Sequence, residues 1–169
     1  MSTNPIPALS KRERGRSADS SPIGIAISNH ITAPPMSNEI VTAPELAPPV
    51  GYAHAVVAAP GGRTVHLGGQ TALGPDGQIA GATLVEQFDV AAGNVVVALK
   101  AAGGEPDDLV QMLVFVTDVA EYKASLRELG AVWKRRFGRR YPAMGLFGVT
   151  ALFDEQARVE LVATAVISE

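Results

Sequence analysis

TLVEQFDVAAGNVVVALKAAGG, residues 83 to 104, followed four residues later by LVQMLVFVT, residues 109 to 117, decides the fold. Thr83 and Glu86 have the spacing of a capping box, in which each side chain satisfies an unpaired backbone donor at a helix start. Leu84, Phe88, Ala91, Val95 and Leu99 then recur at intervals of three and four, the period of one helical face, and Gly103 stops the helix. Leu109 to Thr117 is apolar at nearly every position, which predicts a strand covered on both faces.

The same signals continue outward. Asp118 with Glu121 repeats the cap for a second helix, whose inner face is Tyr122, Leu126, Leu129, Trp133 and Phe137 and which Gly138 ends. Ahead of the first helix, Tyr52 to Ala59 and Arg63 to Gly68 flank Pro60-Gly61-Gly62 and predict a β-hairpin. Ala143 to Phe153 and Ala157 to Ile167 are the last strand-like segments. The expected fold is therefore α+β, in the order β-β-α-β-α-β-β, a mixed sheet with two helices packed on one face. Such a layer leaves a second sheet face in need of a partner.

Composition bounds the function. Residues 1 to 40 carry five prolines and a Lys11-Arg12-Glu13-Arg14-Gly15-Arg16 run with no sustained period, and predict a disordered leader or an upstream extension. The expected domain is 41 to 169, with net charge −4 against −3 for the whole chain, which argues against a nucleic-acid partner. No apolar run approaches the roughly 20 residues of a membrane span, so a soluble protein without a membrane partner is expected, and the absence of cysteine suits a cytoplasmic one. The chain has no cysteine, which removes thiol nucleophiles and cysteine-ligated zinc. His54 and His66 fall on the two strands of the expected hairpin but lack a third ligand, so no metal is expected.

Tyr52, Gly68-Gly69-Gln70, the helix holding Gln87 and Asn94, Val114-Phe115-Val116-Thr117-Asp118, Tyr141-Pro142-Ala143-Met144 and the strand Arg158 to Ala163 together resemble the Rid family, the YjgF-type reactive-intermediate deaminases. The resemblance runs from about Tyr52 to Ala165. It implies a sheet backed by two helices that assembles as a homotrimer, with a small-molecule substrate in clefts between subunits and no cofactor. It also implies hydrolysis of imines or enamines with release of ammonia. In the best-known branch of the family an arginine stands where this chain has Met144, and there it binds the substrate carboxylate.

The resemblance gives Glu160 the role of positioning or activating water, and a salt bridge to Arg158 is the competing reading. A carboxylate between Val159 and Leu161 must in either case be solvated, paired or neutralised. Tyr52 would contact the substrate or serve as strand packing. Gly68 and Gly69 stand where the family usually has Ser-Gly, and their backbone N–H groups suit an oxygen anion. Gln70 is open to a role in bonding loop backbone. Met144 and Leu146 would make an apolar wall, so a substrate without a carboxylate becomes the expectation. Arg139 and Arg140 would replace the missing arginine or, with Lys134, Arg135 and Arg136, form the solvated end of the second helix. The expected function is a hydrolytic deaminase with altered substrate preference. A non-catalytic small-molecule-binding homologue is the alternative, and a ribonuclease comes last.

Overall fold

A computed structural model describes residues 37–168. Residues 1 to 36 of the expected leader lie outside the described residues. The strand β1, Glu39–Val41, already starts ahead of residue 41 and pairs with β2, Ala55–Val57, as an antiparallel ribbon. Four further strands form the main sheet: β3 Arg63–Gln70, β4 Leu109–Val116, β5 Ala143–Gly148 and β6 Val159–Ile167, in the order β3-β6-β4-β5. β4 and β5 are parallel, and the other two pairings are antiparallel.

The expected hairpin does not form. β3 pairs with β6 and β2 with β1, so Pro60-Gly61-Gly62 turns the chain between two different sheets rather than between partners. A turn signal fixes a local reversal, whereas the partner is chosen by which long strand can bury its face with β3.

The helical expectations hold where the caps are strong. In α1, Leu84–Ala101, the Thr83 hydroxyl accepts from the Glu86 amide at 3.2 Å, and a Glu86 carboxylate oxygen accepts from the Thr83 amide at 3.0 Å. Gly103, at φ +84°, takes the left-handed turn that ends it. The Asp118 carboxylate caps the next helix by accepting from Ala120 and Glu121. That helix breaks at Ser125 into α2, Val119–Ala124, and α3, Leu126–Phe137. Leu129, Trp133 and Phe137 are buried as expected, while the break leaves Leu126 exposed.

Both long helices cover one face of the sheet. Phe88, Val95 and Leu99 of α1 pack with Met112, Val114, Val116 and Leu161, all fully buried, and with Trp133 and Phe137 of α3. Among the described residues β4 is thus covered on one side only, not on both as expected. Leu113 and Phe115 face the other way and keep part of their surface. β5 stops at Gly148 rather than running to Phe153, which is fully exposed. None of the described helices is long and apolar enough to cross a membrane.

Candidate functional site

Register decides where each candidate residue points. Glu160 pairs with Phe115 across β6 and β4, and Phe115 pairs with Phe147 across β4 and β5. Paired residues share a sheet face, so Glu160 lies on the open face beside two phenylalanines whose rings stack at 5.5 Å. On its other side β3 shifts register between Leu67 and Gln70, which makes Gly68 and Gly69 a bulge. The Glu160 side chain lies over Gly69, and a Cβ at that position would fall on its carboxylate. Glycine at this position lets the carboxylate lie directly against the β3 backbone.

Glu160 does not pair with Arg158. The Arg158 guanidinium bonds Glu121 at 2.9 Å, and none of the ion pairs among the described residues uses Glu160. Arg158 stands just before β6, and its guanidinium is held by Glu121 of α2 instead. The Gln70 amide nitrogen donates to the Gly68 carbonyl at 3.1 Å and so bonds the bulge itself.

Met144 pairs with Met112 and Leu146 with Val114, so both point to the helix-covered face, away from Glu160. Within one chain the sheet separates the expected water-positioning carboxylate from the expected apolar wall. Met144 and Leu146 instead border a cavity of about 380 Å³ between the outer edge of β5 and α3, with Phe88 and Val114 in its wall and Trp133 and Tyr141 beside them. Tyr52 reaches the same cavity because the Ala53 amide donates to the Pro142 carbonyl at 2.9 Å, which lays that segment along the edge of β5. A second hollow of about 490 Å³, lined by Leu46, His54, Leu113 and Gly145, opens on the other side of Tyr52. The structure therefore brings Tyr52, Met144 and Leu146 together, and Gly68, Gly69 and Glu160 together, as two groups.

The remaining polar candidates hold the scaffold. Gln87 is 2% exposed; its amide nitrogen donates to the Gly81 and Gln156 carbonyls, and its oxygen accepts from the Arg158 amide at 2.8 Å. It thereby fixes the start of β6 just before Glu160. Asn94 donates to the Thr71 and Leu73 carbonyls and fixes the segment after the bulge. Arg135 and Arg136 both reach Asp89, and the Arg136 hydrogen bond holds that carboxyl below its usual range. Arg140 donates to the Asn38 carbonyl at 2.8 Å, and neither it nor Arg139 lines the cavity. His54 accepts from the Ala43 amide and lies 3.0 Å from the Ala47 carbonyl, while His66 pairs with Thr164 on β3, so the two histidines serve separate elements.

Sequence reasoning missed the cavity's inner wall. Phe88 and Trp133 read as ordinary core positions, and they are core; only the shortfall of packing opposite them makes a cavity. One signal was present, the glycine at 130 inside a helical pattern.

A family model described as Endoribonuclease L-PSP matches residues 42–167. The goat (Capra hircus) 2-iminobutanoate/2-iminopropanoate deaminase is 32% identical over 105 residues, 62% of this chain and 73% of that protein. The human protein of the same name is 28% identical over the same shares. Among solved structures, a Rid-family protein of unknown function from Yersinia pestis is 28% identical, with a TM-score of 0.70 over 78% of this chain and 100% of that one. A YjgF-family member from Mycobacterium tuberculosis is 30% identical, with a TM-score of 0.52 over 70% and 88%.

Proposed function

This chain belongs to the Rid (YjgF) family, and from that premise we propose that it is a hydrolytic deaminase of reactive imines or enamines whose substrate preference is shifted away from carboxylates. The observation that carries the reading is the Glu160 carboxylate, unpaired by any arginine or lysine among the described residues and seated over the Gly68-Gly69 bulge. Glu160 takes a proton from water as the oxygen attacks the carbon of the C=N bond, and returns that proton to the imine nitrogen. The resulting carbinolamine collapses to a carbonyl compound as its hydroxyl proton passes through Glu160 to the nitrogen, the C–N bond breaks and ammonia leaves. In this reading a backbone N–H of the Gly68-Gly69 bulge donates to the developing hydroxyl, which needs only modest assistance because such imines hydrolyse readily.

The reading requires a second copy of the chain. Glu160 and Met144 face opposite sides of one sheet, so the substrate meets both only in a cleft to which two copies contribute, and a homotrimer is the proposed assembly. Sedimentation equilibrium at micromolar concentration checks this, and a stable monomer would contradict it. The preference follows from Met144, whose thioether supplies soft contact where a guanidinium would bind a carboxylate bidentately. The cavity wall holds no lysine, arginine or histidine, which gives no support to phosphate binding and hence to RNA cleavage.

The test is ammonia release from a panel of imines with and without a carboxylate. Glu160→Gln should keep the fold and lower turnover by about 10²-fold or more. Met144→Arg should raise the use of carboxylate-bearing imines relative to neutral ones. Equal turnover by wild type and Glu160→Gln removes the carboxylate from the mechanism, and no turnover of any imine by the wild type leaves a binding protein.

A further inference from the structure

Gly130 stands inside α3, where glycine weakens a helix, and a Cβ built there meets no neighbouring atom within 4 Å. The other glycine inside a described helix differs in that a Cβ at Gly93 would make an ordinary contact with the Arg136 guanidinium at 3.4 Å. Steric exclusion therefore does not account for the glycine at 130. What Gly130 borders is open space, because it lines the 380 Å³ cavity with Phe88, Trp133 and Met144.

That cavity has a rigid aromatic wall. Trp133 stacks on Tyr141 at 4.7 Å with 11° between the rings, and the indole N–H donates to the Arg140 carbonyl at 3.1 Å, which fixes its plane. The polar side chains in the wall are three phenols, Tyr52, Tyr122 and Tyr141, with no charged residue among the lining. Burial, and secondarily Tyr141, push the Tyr122 phenol up from its ordinary value, so it remains a neutral donor at physiological pH. A carboxylate entering here would lose its hydration and find no cation, which is strongly unfavourable. A neutral carbonyl or imine needs only one or two donors, and the phenols can supply them.

We infer that this cavity receives the apolar, ring-sized body of an uncharged imine, with Gly130 setting its depth. The inference rests on the imine-hydrolase reading for the reacting group but not for the binding. Size agrees: a dry cavity of about 150 Å³ holds benzene, and 380 Å³ leaves room for the ring, its reacting carbon and a polar end at the tyrosines. Gly130 is a specificity-determining position, since any side chain there enters the cavity from the helix side.

Trp133 is the only tryptophan of the chain and lies in the wall, so its emission reports occupancy directly. The probes are carbonyl products of imine hydrolysis: acetophenone, its carboxylate-bearing counterpart benzoylformate, and acetone. Acetophenone should change Trp133 emission saturably and raise the melting temperature, benzoylformate should bind at least about tenfold more weakly, and acetone should not saturate. Gly130→Ala should weaken acetophenone binding severalfold while raising the melting temperature of the free protein, because alanine favours the helix. Gly130→Leu, provided its melting transition remains cooperative, should abolish that binding. Equal binding of benzoylformate and acetophenone, or unchanged acetophenone affinity in Gly130→Ala, overturns the inference. Acetophenone binding without ammonia release from any imine overturns the hydrolase reading alone. Ammonia release from 2-imino acids without acetophenone binding overturns this inference alone.

Discussion

Phe88 and Phe147 stand on opposite sides of one sheet, a residue type shared and an environment not. Phe88 is fully buried against Met112 and Val114 under the helices, while Phe147, stacked on Phe115, is 47% exposed on the open face. The covered face holds the apolar cavity and the open face holds Glu160 with its glycine bulge. One face is completed by the chain's own helices. The other leaves a carboxylate, two stacked rings and Leu113 as partly exposed surface, the kind of face that a partner can cover.

Truncation on the two faces is the strongest way to break that contrast. Phe88→Ala should cost about 3–5 kcal/mol in denaturant unfolding, and Phe147→Ala less than about 1 kcal/mol in the separated chain. In an assembly that covers the open face, the Phe147 variant should instead shift the concentration at which copies separate. Equal unfolding costs for the two variants would show that the faces are not different.

A smaller effect separates the bulge from the cavity. Gly69→Ala forces the Glu160 carboxylate aside, and because the far end of a side chain can swing, the fold should survive. Turnover should fall by about tenfold or more, roughly 1.4 kcal/mol of barrier, while acetophenone binding in the cavity stays unchanged. Loss of both together would place bulge and cavity in one rigid unit rather than two.

The smallest expected effect concerns the join between the helices. The Arg136 hydrogen bond holds the Asp89 carboxyl below its usual value, with burial opposing and Arg135 assisting. A depressed folded pKa contributes stability above the unfolded value of about 3.9, and that contribution is lost as pH falls through the folded value. Asp89→Asn should therefore cost about 1 kcal/mol at neutral pH and show a shallower acid destabilisation than wild type below about pH 4. Parallel acid limbs for the two proteins would remove Asp89 from the stability of that join.

Local chemistry was readable wherever a motif closes on itself within a few residues. Thr83 with Glu86, Asp118 with its two amides and the glycine stops at 103 and 138 all appear where the sequence places them, because a cap is satisfied by groups three residues away. The hairpin failed for the converse reason: Pro60-Gly61-Gly62 reverses the chain, but β3 finds its partner in β6, about a hundred residues on. The break at Ser125 also escaped, since the helical period runs through it.

For the site, the sequence alone supplied the candidates: one carboxylate flanked by apolar neighbours on the last strand, paired glycines, a methionine where the resemblance expects an arginine, and a tyrosine at residue 52. Only the tertiary structure decided which of them meet. Strand register sends Glu160 and Met144 to opposite faces, while the packing of the helices brings Arg158 to Glu121 and the space beside Gly130 to an aromatic wall. Residue type is a property of position in the chain, whereas face, partner and empty volume come from pairings between segments far apart, whose energies depend on the whole packed layer.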